Sequence, residues 1–239
     1  MPFFSPADGT ITLRIVYDGL GTAGKTTNIQ KLHELYTLRR QGPVVTPEVV
    51  RGRTAYFDWL ELSTGTLDDT HPLRCQVLTV PGQFAYAPRR WKLLKEPDAI
   101  VCVCDSTPAG VKRGRLGLEF LRKLRERGVC PDVPVVIQAN KRDLPEAVPL
   151  EELRVLLGLG ADERIYESVA SSGEGVQLAF FAALDRARQQ LRRHLEEHGT
   201  AGLQPPQAPE ELLELLRVEL DDAEDEAYAV ADAITSEEH

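Results

Sequence analysis

Between Gly19 and Thr26 the chain reads Gly-Leu-Gly-Thr-Ala-Gly-Lys-Thr, directly after an apolar run from Ile11 to Tyr17 and directly before residues Ile29, Leu32 and Tyr36, which recur at helical spacing. A strand, a glycine-rich turn and a helix in that order make a cradle for phosphate. The glycines let successive backbone N–H groups point inward, and the helix N-terminus adds its partial positive charge. Lys25 is expected to place a point charge near the β- and γ-phosphates, and Thr26 to offer its hydroxyl to Mg²⁺. Gly19, Gly21, Thr22, Ala23, Gly24 and Thr27 complete the expected phosphate site.

A second motif indicates which nucleotide is held. The apolar, β-branched run Pro134–Ala139 ends in Asn140-Lys141-Arg142-Asp143. A carboxylate at Asp143 can accept from the ring N–H and the exocyclic amine of guanine, a pair of donors that adenine lacks. Adenine would leave that carboxylate unpaired, so GTP and GDP are expected over ATP. Asn140 is expected to brace the loop, and the stem of Lys141 to lie over the base. Both motifs fall at the carboxyl ends of predicted strands, the edge at which open α/β sheets bind ligands.

The pattern predicts an α/β fold: a P-loop nucleotide-binding domain with a mainly parallel sheet and helices on both faces. Strands are expected at 11–17, 55–62, 73–80, 99–105, 133–139 and 163–168, and helices at 25–40, 88–95, 112–127, 150–157 and 174–197. The runs Ala99–Cys104 and Val133–Ile137 are apolar on both faces, as strands covered by helices on each side must be. In the last helix Val176, Phe180, Leu184, Ala187 and Leu191 form an inward stripe. Residues 1–198 are read as one domain, 199–209 (GTAGLQPPQAP) as a linker and 210–239 as an acidic, partly helical tail. Twelve Asp and Glu residues follow Ala201 against Arg217 alone, so the acidity of a chain of net charge −9 belongs to that tail. Its leucines, Leu212, Leu213, Leu216 and Leu220, follow helical spacing. The tail is expected to leave the core complete without it, as a detachable segment that docks on a partner or folds back on the domain.

Other classes are argued against. No basic stripe suggests nucleic acid, and no run of apolar residues is long enough for an integral membrane segment. The first residues lack a secretion signal and the last lack a prenylation cysteine, which fits a cytoplasmic protein. Cys75, Cys102, Cys104 and Cys130 read as reduced core residues and not as a metal site.

These motifs resemble the bacterial Ras-like small GTPases, most of all the MglA-type GTPases of gliding motility and cell polarity. The stretches that carry the resemblance are Gly24–Asn28, Arg53–Asp58, Thr79-Val80-Pro81-Gly82-Gln83 and Val136–Pro145. It implies a GTP-hydrolysing switch. Ras-like proteins usually have Asp-x-x-Gly where this chain has Thr79-x-x-Gly82, as the MglA type does, so the metal is expected to rest on Thr26, nucleotide and water, with Thr54 joining in the triphosphate state. Gln83 is implied as the residue that orients the attacking water, Arg53 as an arginine finger supplied in cis, Gly82 and Thr54 as nucleotide contacts, and Ala170 as a backbone contact to the base oxygen. The implied partners are switch-dependent effectors and a roadblock-type dimeric GTPase activator, meeting Pro43–Arg53 and Phe84–Trp91. Two other readings are a guanine-nucleotide-dependent scaffold without turnover and a P-loop phosphotransferase; the guanine motif and the lack of an arginine-rich lid oppose the latter.

Overall fold

The computed structural model describes residues 2–47, 49–50, 53–54, 56–83 and 87–218, with nothing said of the side chains of 49, 50, 53, 54 and 218. Arg51, Phe84, Ala85, Tyr86 and the tail from 219 lie outside the described residues. The elements are β1 (Phe3–Ser5), β2 (Thr10–Asp18), α1 (Lys25–Leu35), β3 (Val49–Val50), β4 (Arg53–Thr54), β5 (Trp59–Leu67), β6 (His71–Thr79), α2 (Ala87–Leu93), β7 (Ala99–Asp105), α3 (Pro108–Glu126), β8 (Val135–Asn140), α4 (Leu150–Leu156), β9 (Ile165–Glu167), α5 (Val176–His198) and α6 (Pro209–Val218).

The expected mainly parallel sheet is present, in the order β5-β6-β2-β7-β8-β9. From β6 to β9 every neighbouring pair is parallel, while β5 runs antiparallel to β6 at the edge. Alternation along the strands divides the interior in two. In β2 the residues Ile11, Leu13, Ile15 and Tyr17 face one layer with Ile29 and Leu32 of α1 and the α5 stripe, and Val16 faces the other with Phe120 and Leu121 of α3. All nine residues of β2 and all seven of β7 are buried, as strands roofed on both sides require. The four cysteines are buried free thiols. Among the described residues no helix is long and apolar enough to cross a membrane.

Several boundaries differ from expectation for physical reasons. Helix α1 stops at Leu35 and not at residue 40, because the chain turns at Tyr36 to pair with the edge strand: Ser63 N–H donates to Arg39 O at 2.7 Å and Gln41 N–H to Glu61 O at 2.9 Å. The β5–β6 hairpin runs further than the expected strands, through a turn in which Asp68 and Asp69 both have positive φ, 48° and 55°. Paired positive φ is the signature of the tight hairpin turn whose twist suits its strands, and Asp tolerates it. The short β1 adds antiparallel to the start of β2.

The acidic extension departs most from expectation. Ala208 precedes α6 with Pro209 in its first turn, and Glu211 reaches back to accept from Ala208 N–H at 3.1 Å. Leu212 and Leu216, 5% and 0% exposed, are buried in the same apolar cluster as Tyr56, Trp59, Leu93 and Leu94. The stretch leading into it is held too: Phe4 N–H donates to Gln204 O, and Gln207 accepts from Arg14 and Gln76. Residues up to 218 therefore complete the core on that face, contrary to a core complete without them.

Candidate functional site

The two nucleotide motifs meet at the carboxyl end of the parallel strands. Gly19 leaves β2 with φ of 143° and Gly24 enters α1 with φ of 103°. A Cβ on Gly19 would run into the carbonyl of Val103, and one on Gly24 into the side-chain amide of Asn140. Both glycines are thus fixed by conformation and by a neighbour at once. The loop they bound is closed by Lys25, whose Nζ donates to Gly19 O at 2.6 Å and Leu20 O at 3.2 Å. Burial lowers the Lys25 ammonium to about 8, against the opposing pull of Asp18 and Asp58. Gly21 N–H donates to Gly82 O at 2.8 Å, and a Cβ on Gly82 would strike both Gly21 N and Lys25 Nζ. Gly82 thus touches the loop groups that a terminal phosphate would address. Thr22 has φ of 69° and is exposed at the loop tip, Ala23 is buried, and Thr27 is half-buried one residue into α1 from Thr26.

Asn140 joins the motifs. Its Nδ2 donates to Ala23 O at 2.8 Å, while its Oδ1 accepts from Ala170 N–H at 2.9 Å and Ser168 Oγ at 3.2 Å. One buried amide therefore fixes the phosphate loop, the end of β8 and the loop after β9. Behind it Gln138 donates to Asn28 Oδ1 at 2.8 Å and Ser168 Oγ at 2.9 Å, and Asn28 donates to Gly24 O at 2.9 Å. The Ala170 N–H is spent on this brace. Lys141, with φ of 64°, donates through Nζ to Asp105 Oδ2 at 2.7 Å. Although burial pushes the Asp105 carboxyl up, the bonds from Lys141 and Thr107 hold it below its ordinary value. Asp143 is exposed beside them.

The metal side of the site has a residue that sequence reasoning missed. Asp58, fully buried just before β5, accepts from Thr26 Oγ1 at 2.7 Å, Thr46 Oγ1 at 2.8 Å and Thr79 Oγ1 at 2.8 Å. Thr79 in turn accepts from Asp58 N–H at 3.0 Å. The carboxylate missing at position 79 is thus supplied from the neighbouring strand at the Thr26 hydroxyl. An anionic oxygen grouped with hydroxyls is the hard donor set that suits Mg²⁺. An aspartate within the run Phe57-Asp58-Trp59-Leu60 was the available signal, since a buried charge needs partners.

Gln83 is half-buried directly after Gly82. Arg53 and Thr54 form β4, paired with Thr54 against Val49 and Arg53 against Val50, and their side chains lie outside the described residues. In the expected partner surface, Arg89 stacks on Tyr56 at 3.9 Å and Trp91 is half-buried, but Arg90 is no surface anchor. It is 2% exposed, with both carboxylate oxygens of Asp18 on its guanidinium.

Comparison with known proteins gives a consistent result. The model of the ADP-ribosylation factor family matches residues 7–181. Mutual gliding-motility protein MglA of Myxococcus xanthus (strain DK1622) is 38% identical over 178 residues, which cover 74% of this chain and 90% of that protein. ADP-ribosylation factor-like protein 6 of Caenorhabditis elegans is 26% identical over 208 residues, 83% of this chain and 97% of its own length. ADP-ribosylation factor-like protein 4C of Homo sapiens is 32% identical over 149 residues, 62% and 70% of the two chains.

Proposed function

Since this chain belongs to the ADP-ribosylation factor family and is a Ras-like small GTPase similar to MglA, hydrolysing GTP, we propose that it is a guanine-nucleotide switch regulating cell polarity or motility from the cytoplasm. The observation that carries the nucleotide reading is the Asn140 brace, which holds the phosphate loop and the base-reading motif in one rigid unit, so that both act on one ligand. Gly19, Gly21, Thr22, Ala23, Gly24 and Thr27 surround the phosphates in this reading, and Lys25 exchanges two carbonyls for the β- and γ-phosphates. Asp143 reads the guanine edge while Lys141, tethered to Asp105, flanks its face. Ala170 serves the base through Asn140.

Thr26 and Thr54 would hold Mg²⁺, with Asp58 accepting from Thr26 behind it. The metal would supply charge neutralisation between the β- and γ-phosphates. For turnover, Gln83 orients the attacking water and Arg53 neutralises charge developing on the γ-phosphate, a contribution of about 10³- to 10⁵-fold where such a finger is in place. Gly82 couples the second switch to the phosphates by its place on Gly21 and Lys25, and switch-dependent effectors and a roadblock-type dimeric activator would read that coupling. Single-turnover hydrolysis tests the catalytic half. Arg53→Ala and Gln83→Leu should each slow it by at least about tenfold with GTP affinity kept, since both act on the transition state. Equal rates in all three proteins would favour a scaffold that holds nucleotide with residual turnover only.

A further inference from the structure

Asp18 and Arg90 form a fully buried ion pair that none of the roles above uses. Asp18 ends β2 and is bonded to Gly19, the first residue of the phosphate loop; Arg90 sits in the middle of α2, the helix that follows the second switch loop. Arg90 Nε donates to Asp18 Oδ1 and Nη2 to Oδ2, each at 2.7 Å. Nη2 also donates to Gly117 O at 3.1 Å, and the guanidinium lies 4.3 Å from the centre of the Phe120 ring. A Cβ on Gly117 would stand 3.7 Å from Nη2, an ordinary contact, so the pair packs directly beside that residue of α3. Two ionised groups withdrawn from water to this degree are an expensive arrangement unless every oxygen is matched, and here both are.

The position of the pair suggests what it does. Lys25 Nζ donates to the carbonyl of Gly19, the residue bonded to Asp18, so Lys25, Asp18 and Arg90 are buried together at the root of the phosphate loop. We propose that Arg90 is a positioning residue for phosphate binding: by occupying both oxygens of Asp18 it keeps that carboxylate from capturing Lys25, and it fixes α2 to the root of the phosphate loop. With Asp18 neutralised, the Lys25 ammonium donates, among the described residues, to the neutral carbonyls of Gly19 and Leu20, which a phosphate displaces readily. Were Arg90 replaced by an uncharged residue, Asp18 would be a buried anion whose available counter-charge is Lys25, and the lysine would be drawn towards the strand end. The proposal rests on Lys25 being the ligand of the β-phosphate, as in the function inferred above.

The test is the ratio of GDP to GMP affinity, measured on the full chain in Mg²⁺ with fluorescent analogues of both. Lys25 meets only the phosphates beyond the first, so loss of its service lowers the ratio, whereas general damage lowers both affinities together. Arg90→Met should lower the ratio by about tenfold or more, the worth of a charged hydrogen bond, and Arg90→Lys, which keeps a cation on Asp18, should hold it within about threefold of native. Asp18→Asn removes the competing anion and should leave the ratio unchanged or raised. A native ratio in Arg90→Met overturns the proposal. So does a tenfold fall in Asp18→Asn, which decides the matter even if Arg90→Met does not fold. Lys25→Met separates the premise from the inference: a native GDP preference in that variant would sink the phosphate role of Lys25 itself.

Discussion

Gly24 carries two constraints at one position: its φ of 103° suits glycine, and a Cβ would strike the amide that braces the base loop. Gly24→Ala should therefore cost GDP affinity about tenfold or more through strain of about 1–3 kcal/mol, while far-ultraviolet circular dichroism stays near native. Asp58 makes a different prediction. Its carboxylate orders the hydroxyls of Thr26, Thr46 and Thr79, and Asp58→Asn keeps the shape but gives up the charge. The Mg²⁺ concentration needed for half-maximal GDP retention should rise by about tenfold, equivalent to roughly 1.4 kcal/mol at the metal; an unchanged Mg²⁺ titration would remove Asp58 from the site. Gly24, Lys25 and Asn140 were legible in the sequence because their motifs are local and ordered along the chain. Asp58 and Arg90 were not, because their meaning lies in residues far away: Thr26 is 32 positions from Asp58, and Asp18 is 72 from Arg90. An arginine beside Trp91 reads as surface until the partner carboxylate is located.

Among the elements, α3 and α5 were legible because an apolar stripe sustained over many turns has one reading. Short or edge elements were not: β1 and the end of α1 are decided by pairing with other strands, and β5 and β6 extend through a turn made of two aspartates, without glycine. The helical stripe of the extension is legible in the sequence, but its burial in the core is not, because its charge outweighs the stripe. In α6 the acidic side chains Glu210, Glu211 and Glu214 are exposed while Leu212 and Leu216 fill the cluster around Trp59 and Leu93. Leu216→Ala should consequently destabilise the protein by about 2–4 kcal/mol in urea unfolding, a cost typical of a buried leucine. Cutting the chain after Gly202 should lower the melting temperature by several degrees or more at about 2–4 °C per kcal/mol; a truncated protein that melts with the full chain would mean α6 adds nothing to the fold. Because α6 lies against Tyr56 and Leu93, which border the switch segments, Arg217 also comes within 5.8 Å of the Tyr56 ring.

The molecule as a whole divides its polar groups between two ends. The carboxyl ends of the strands gather Lys25, Asp58, Asp105, Asn140 and Lys141, whereas the opposite end buries Asp98, which accepts from Arg14 N–H at 2.7 Å. Burial pushes the Asp98 carboxyl up to about 6, with the Arg14 N–H opposing. A folded-state value raised above the unfolded 3.8 means that Asp98 contributes stability in full below about pH 4, and that this is lost as pH rises through about 6. The stability of Asp98→Asn relative to the native chain should therefore increase from pH 4 to pH 7, by up to about 3 kcal/mol, in urea titrations at fixed ionic strength. A flat difference across that range would show that the group does not titrate in the folded protein. In the proposed function the other end holds the nucleotide, and the central claim is that one ligand is read by two motifs that Asn140 locks together. Competition of unlabelled GDP and ADP for bound fluorescent GDP tests that most directly. Preference for GDP by at least about 10³-fold is expected, with Asp143→Asn shifting preference towards xanthosine diphosphate, since a site built to pair with base donors rejects a base that lacks them. Displacement by ADP within tenfold of GDP would contradict it.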